Sequence, residues 1–326
     1  MHPLSLLQAI ILGVIQGATE FLPVSSTAHM RVIPALLQWG DPGTAFSAIV
    51  QLGPIVAIIA FYRVKLVAYL RGMGRSLAAK KLFPEGDIEA RLGWYTAFGT
   101  IPLVVAGLLL EKKVDSEYRN LYIVGGALIL LALVLLWAER VSKRNRQLKD
   151  LDFGSAMGIG VAQVVALLPG ASRSGSTIAA GLFAGLTRED AADFSFLLSI
   201  PAITLAGLYK LYKAAKSPEL HGNLPEYLIA AGVAAVVAYV VIKWFLGFLK
   251  DERHTTGPFI AYRVVLGLAL IGLAAAHVVE PGSIGPAEPA AVAVAGHWSP
   301  LKLRGGAVFT AVRFLSPEGA KYQSPG

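Results

Sequence analysis

Six apolar runs of near-spanning length, separated by short charged segments, constrain this chain more than any other feature. A helix needs about 20 apolar residues to cross the hydrocarbon of a bilayer. Segments 44–62, 93–110, 120–138, 190–209, 225–248 and 257–279 meet or nearly meet that length. In hydrocarbon every backbone polar group must find its partner within the protein, so the spanning structures are helices or closed barrels. Runs this long read as helices. Composition agrees, with 55% hydrophobic and 15% charged residues where a soluble domain has about 25% charged. The net charge of +8 sits in loops between the apolar runs, a pattern of membrane orientation rather than nucleic-acid binding. With no cysteine, disulfides and thiolate metal sites are excluded. The start, Met1-His2-Pro3-Leu4, has neither a basic segment nor a convincing cleavage site. The first apolar run therefore reads as mature protein rather than a signal peptide.

Two further apolar regions are interrupted. Residues 4–40 break at Phe21-Leu22-Pro23-Val24-Ser25-Ser26-Thr27, and residues 153–186 at Pro169-Gly170-Ala171-Ser172-Arg173-Ser174-Gly175. Each half is about 12–17 residues long, short for a span and suited to a re-entrant helix-loop-helix. Irregular backbone survives at membrane depth only where protein or a wet cavity surrounds it, so each break predicts a buried polar site. The breaks resemble each other. Gly13-x-x-Gln16 precedes Pro23 as Gly160-x-x-Gln163 precedes Pro169, and Pro23-Val24-Ser25-Ser26 parallels Pro169-Gly170-Ala171-Ser172, with one gap between Gln and Pro. Three spans follow each break, so the two units would lie in opposite orientations, as in inverted repeats with broken helices.

The expected architecture is an all-α polytopic membrane protein with six transmembrane helices and two re-entrant hairpins in an inverted repeat. A single membrane domain covers residues 1–280, with repeat 1 at about 3–138 and repeat 2 at about 153–279. Residues 281–326, rich in Pro, Gly and Ala without a spanning run, are expected to be a disordered tail. With loops 63–92, 139–152, 187–189 and 249–256 in the cytoplasm, that side holds 15 Lys and Arg, against 6 in loops 111–119 and 210–224. The positive-inside rule favours this orientation. It opens the first break to the periplasm and the second to the cytoplasm.

The first break carries a constellation. Gln16 and Glu20 are four apart and share a helix face. Ser25, Ser26 and Thr27 suit capping of the next half-helix, whose free N–H groups favour an anion such as phosphate. His29 lies within reach of the Ser26 face. A carboxylate at membrane depth costs about 2.5–3.5 kcal/mol on insertion scales, so Glu20 is expected to face a metal ion, a cation or water. The plainer alternative is an interfacial carboxylate at a helix end.

In the second break Ser172, Ser174, Gly175 and Thr177 surround Arg173. Its planar fork of donors matches phosphate oxygens, glycines let the backbone approach a ligand, and the run after it makes the loop a helix N-terminus. A lone Arg173 could snorkel to a headgroup, but the crowd of Gly and Ser favours a phosphate site. Neither break has a Walker A pattern, so nucleotide binding has no support.

Gln16-x-x-x-Glu20-Phe21-Leu22-Pro23-Val24-Ser25-Ser26-Thr27-x-His29 and Pro169-Gly170-x-Ser172-Arg173-Ser174-Gly175-x-Thr177 resemble the bacitracin-resistance family of undecaprenyl-diphosphate phosphatases, over about residues 3–280. Gln51-Leu52-Gly53, Thr100-Ile101-Pro102, Ser199-Ile200-Pro201 and Tyr262-Arg263 add support. The resemblance implies hydrolysis of undecaprenyl diphosphate to the monophosphate and inorganic phosphate, which recycles the lipid carrier of cell-wall synthesis and confers bacitracin resistance. It implies a bacterial inner-membrane location, a site facing the periplasm, and a divalent cation, Mg2+ or Ca2+. The family accepts Glu or Gln at the first motif position; here it is Gln16, leaving Glu20 as the motif's carboxylate.

Carried onto this chain, the resemblance implies catalytic roles for Glu20, Ser26, His29 and Arg173. Ser25, Thr27, Ser172, Ser174, Gly175 and Thr177 would bind substrate, and Glu20 with Gln16 would offer oxygen ligands to the metal. Three attacking groups stay open: Ser26 with His29 as base, His29 itself, or a water activated by the cation and His29; the first is favoured. The expected partners are the prenyl diphosphate and the bilayer, with no nucleic acid; an oligomer is possible and its state is left open. A lipid-phosphate transporter or flippase using the same architecture is the competing class, but clustered Ser, His, Glu and Arg favours chemistry.

Overall fold

The structure is a computed structural model and describes residues 4–37, 39, 42–116, 120–215 and 223–276. The tail expected at 281–326, the end of the sixth expected span and part of loops 111–119 and 210–224 lie outside the described residues. All described residues belong to one compact unit, Met1–Glu288. They form helices α1 (Leu6–Thr19), α2 (Ser26–Leu36), α3 (Gly43–Val50), α4 (Leu52–Ala78), α5 (Ile88–Ser116), α6 (Leu121–Val141), α7 (Phe153–Ala162), α8 (Arg173–Phe183), α9 (Arg188–Ala214), α10 (Leu224–Lys250) and α11 (Gly257–Ala275). A 3-10 turn, Gln163–Leu167, prolongs α7.

Local chemistry sets many of these boundaries. Ser5 and Gln8 make a reciprocal capping box at the start of α1. Asn120, Asp152 and Thr187 cap α6, α7 and α9 through their side chains. Pro225 and Pro258 sit in the first turns of α10 and α11, where a missing N–H is harmless.

Among the described residues, six helical stretches are long and apolar enough to cross a membrane: Ala45–Ala78, Ile88–Leu110, Leu121–Val141, Arg188–Lys213, Leu224–Lys250 and Gly257–Ala275. Their outward faces carry large apolar side chains, among them Val64, Leu109, Val236 and Val265, each more than 60% exposed. This is the surface of a multi-pass membrane protein.

Two boundaries differ from the sequence expectation. The first span does not end at residue 62: α4 continues through Arg63, Lys65, Arg71 and Arg75 to Ala78, so the loop expected at 63–92 shrinks to the residues between α4 and α5. The charges are compatible with helix because apolar residues persist on one face, as at Tyr69 and Gly72. Likewise α9 runs past Lys210 and Lys213 to Ala214. Lys65, moreover, is paired: its Nζ lies 2.6 Å from Asp193 Oδ2 on α9, while the Tyr62 hydroxyl donates to Asp193 Oδ1 at 2.7 Å.

Small residues let helices meet closely. A Cβ on Gly13, Gly17 or Gly53 would come within 2.6 Å of the carbonyl oxygens of Ala230, Ala234 and Ala231 on α10. On the other side, Gly160 of α7 meets the backbone of Gly99 in α5. The α6–α11 seam is reciprocal. Gly125 faces the carbonyl of Gly267 and the side chain of Ile271, and Gly267 faces the carbonyl of Gly125 and the side chain of Ile129.

Both expected breaks fall between short helices, α1 and α2 in one case, α7 and α8 in the other. Their helix starts change the sequence alignment. Ser25 and Ser172 are both N-caps with left-handed φ, 71° and 66°. The same chain separation relates Gln16 to Gln163 and Gly13 to Gly160. The same separation relates Ser25 to Ser172 and Ser26 to Arg173, a register that needs no gap after the glutamines.

Candidate active site

The two breaks meet at Glu20. It follows the last turn of α1, with its backbone N–H still bonded to the Gln16 carbonyl, so its side chain emerges where the helix stops. Its Oε1 lies 3.1 Å from Arg173 Nη2, at the first position of α8, and the two side chains are only 7% and 11% exposed. Its Oε2 accepts from the Ser26 hydroxyl at 2.7 Å and from Gln16 Nε2 at 3.0 Å. Arg173 also reaches the Glu20 carbonyl at 3.4 Å and lies over the Phe21 ring, 5.8 Å from its centroid. Ser174 ties the breaks a second time, its hydroxyl donating to the Leu22 carbonyl at 2.8 Å. Glu20, Ser26, Gln16, Arg173 and Ser174 therefore form one cluster from segments about 150 residues apart.

Other expected site residues sit around this cluster with their side chains already engaged. The Ser25 and Thr27 hydroxyls pair with each other at 3.1 Å. Ser172 caps α8 by accepting from the Gly175 N–H at 3.2 Å and lies 3.3 Å from the Ser174 hydroxyl. Thr177 is turned into the protein, 2.6 Å from the Ser195 hydroxyl on α9. A Cβ on Gly175 would lie 2.5 Å from Arg263 Nη1, so a larger residue there would have to displace the guanidinium packed against it.

His29 is placed differently from the sequence expectation. Its Nδ1 is 2.8 Å from the Ser25 carbonyl and its Nε2 is 2.6 Å from the Tyr262 hydroxyl. A carbonyl only accepts, so Nδ1 carries the proton, and Nε2 of the neutral ring accepts from Tyr262. Neither nitrogen is directed at Ser26, whose proton goes to Glu20. Sequence reasoning gave Tyr262 and Arg263 no role beyond a motif. Arg263 is fully buried, its Nη2 donating to the carbonyls of Ala171 at 2.8 Å and Gly170 at 3.4 Å. An arginine inside an apolar run was the available signal.

As a cation site the cluster offers oxygens: the Glu20 carboxylate and the Gln16 amide oxygen, the latter free because Nε2 makes the bond to Glu20. Among the described residues no group of three or more His, Cys, Asp or Glu could cage a metal. One carboxylate and one amide fit a hard cation that keeps its waters and takes further oxygens from a substrate phosphate, the habit of Mg2+ rather than of a protein-caged ion.

Residues 9–269 match the family described as bacitracin resistance protein BacA. The chain belongs to that family. Curated relatives agree over most of its length. The chain is 46% identical over 270 residues to a protein of Myxococcus xanthus, covering 83% of this chain and 89% of the relative. It is 45% identical over 280 residues to one of Chloroherpeton thalassium, covering 83% and 97%, and 46% identical to one of Chlorobaculum tepidum, covering 82% and 96%. Each of these BacA relatives is named an undecaprenyl-diphosphatase.

Proposed function

We propose that this membrane protein hydrolyses undecaprenyl diphosphate to undecaprenyl phosphate and inorganic phosphate. The observation that carries the chemistry is the part-buried Ser26–Glu20–Arg173 array, in which a hydroxyl, a base and a phosphate-binding cation converge from both breaks. Family membership supplies the substrate.

The chain's own groups take the following parts in the reaction. Arg173 and the N–H groups at the starts of α2 and α8 bind the diphosphate oxygens. Ser26 Oγ passes its proton to Glu20 Oε2 and attacks the terminal phosphorus. The bond from that phosphorus to the bridging oxygen breaks, and the lipid monophosphate leaves with the electron pair and takes up the Glu20 proton. Water then attacks the phosphoserine, giving one proton to Glu20; the Ser26–phosphorus bond breaks, Ser26 recovers the proton and inorganic phosphate departs. Guanidinium and helix N-termini face the phosphoryl oxygens where charge builds. Glu20 and Gln16 would hold a divalent cation, Mg2+ or Ca2+, which when bound neutralises phosphate charge.

The finer architecture belongs to the same proposal. The α1–α2 and α7–α8 units are re-entrant hairpins of an inverted repeat, and the site opens to the periplasm of the inner membrane. Matching left-handed caps, the constant spacing of Gln16 to Gln163 and Ser25 to Ser172, and the reciprocal Gly125–Gly267 contact support the repeat. Loop charge supports the orientation.

Phosphate release from a prenyl diphosphate by purified protein, with and without Mg2+, is the test. Cation-dependent release is expected. Lipid movement across vesicles without release would instead establish a transporter.

A further inference from the structure

A non-glycine residue in left-handed conformation costs about 1–2 kcal/mol and persists where its surroundings over-determine it. Both break helices start on such a residue, Ser25 and Ser172. Ser25 makes no side-chain cap bond to a backbone N–H of the helix that it starts, its hydroxyl pairing with that of Thr27, and its backbone is held from outside that helix as well. Its carbonyl accepts from His29 Nδ1 at 2.8 Å, and His29 is in turn fixed by the Tyr262 hydroxyl at 2.6 Å, with the rings stacked 5.6 Å apart. The next residue of α11 acts on the other break. Arg263 donates to the carbonyls of Gly170 and Ala171, immediately ahead of Ser172. Arg263 is wholly buried, and its Nε and Nη1 find no acceptor among the described residues. Burying a cation with so few acceptors is expensive, and its hydrogen bonds go to this one stretch of backbone.

We propose that Tyr262-Arg263 is a positioning pair: adjacent residues of α11 restrain the backbone at both helix starts, so that Ser26 and Arg173 address the same diphosphate. Neither touches the reacting atoms. His29 is a link in this restraint, carrying the hold of Tyr262 to the strained cap. The inference rests on the phosphatase reading above for its kinetic consequence, and on the geometry alone for its structural one.

Glycine adopts left-handed φ without penalty, which gives the test its logic. Tyr262→Phe, Ser25→Gly, the double variant and Arg263→Lys are purified and compared with wild type. The assays are phosphate release from farnesyl diphosphate with Mg2+ and amide exchange by mass spectrometry. Tyr262→Phe is expected to lower kcat by about tenfold with KM within about threefold, the pattern of lost transition-state alignment. Exchange across residues 24–29 should rise about tenfold, the mark of a locally loosened segment. In the Ser25→Gly background the kcat effect of Tyr262→Phe should shrink to under about threefold, a coupling that independent sites do not show. Arg263→Lys should raise exchange at 170–175 and leave 24–29 unchanged; if it does not fold, the Tyr262 arm decides alone.

Additive effects of Tyr262→Phe and Ser25→Gly, a change in KM alone, or unaltered exchange at 24–29 would overturn the proposal. A wild type that releases no phosphate would sink the functional reading, while the exchange measurements would still judge the restraint.

Discussion

Replacing Glu20 by glutamine should separate catalysis from stability. Glu20 collects three donors, from Arg173, Ser26 and Gln16, at 3.1, 2.7 and 3.0 Å. The amide keeps the shape and loses the charge, and it turns an NH2 group toward donors. Arg173, 11% exposed at its side chain, is then a buried cation without its counter-charge, and breaking a buried pair in this way costs about 3–5 kcal/mol. Loss of a positioned base lowers turnover by about 10²–10⁴-fold, or about 2.7–5.4 kcal/mol of barrier at about 1.36 kcal/mol per decade. Adding Arg173→Met removes the stranded charge. The double variant Glu20→Gln/Arg173→Met should therefore regain much of the thermal stability while turnover stays lost. Phosphate release from farnesyl diphosphate and unfolding in detergent followed by tryptophan fluorescence measure the two effects. Turnover of Glu20→Gln within about threefold of wild type would refute the assignment of Glu20 as base. A double variant no more stable than Glu20→Gln would refute the charge argument.

Three further outcomes are expected. Ser26→Ala should abolish turnover while binding of a non-hydrolysable diphosphonate persists, and acid-quenched wild type should yield phosphoserine at Ser26; an unlabelled Ser26 would point to direct attack by water. Gly53→Ala should destabilise by about 1–3 kcal/mol, because the new Cβ would lie 2.2 Å from the Ala231 carbonyl; an unchanged unfolding temperature would show that α4 and α10 are not held at this spacing. Arg146 and the Ser155 N–H hold the Asp152 carboxyl well below the ordinary carboxylate range, so its stabilisation of the α7 start is complete at neutral pH. It fades only as pH falls from the ordinary carboxylate range through that lowered value; Asp152→Asn should weaken the fold at pH 7 and narrow its difference from wild type in strong acid, and a constant difference would contradict this.

The fold was legible wherever local chemistry decides it. Long apolar runs read as helices in hydrocarbon, and a proline set among Gly and Ser residues interrupts them, so the breaks at Pro23 and Pro169 were visible, although Pro102 and Pro201 alone leave α5 and α9 continuous. The extent of α4 was not, because Arg63, Lys65 and Arg71 look like a loop until Asp193, 128 residues away, supplies a partner for one of them. Within the site, Glu20, Ser26 and Arg173 were legible as chemical types, and the structure brings them into one cluster. The placement of His29 was hidden. Its neighbours in sequence suggested a base for Ser26, and its actual partner, Tyr262, lies 233 residues on. Matching the prolines obscured the likeness of the two helix starts; the positive φ shared by Ser25 and Ser172 is a backbone property, and no side-chain pattern records φ.

The paired glycines between α6 and α11 have a reach beyond their own helices. Gly125 and Gly267 each sit against the other's carbonyl, so a methyl group on either would wedge the helices apart. One turn of α6 carries both Gly125 and Val124, and the Val124 carbonyl abuts Gly170 in the second break. On the opposite helix, Arg263 lies about one turn before Gly267. Spreading this seam would thus shift both walls of the Ser172 loop at once. A single methyl group added between two helices would reach the loop that carries Ser172 and Arg173 through the backbone packed against it.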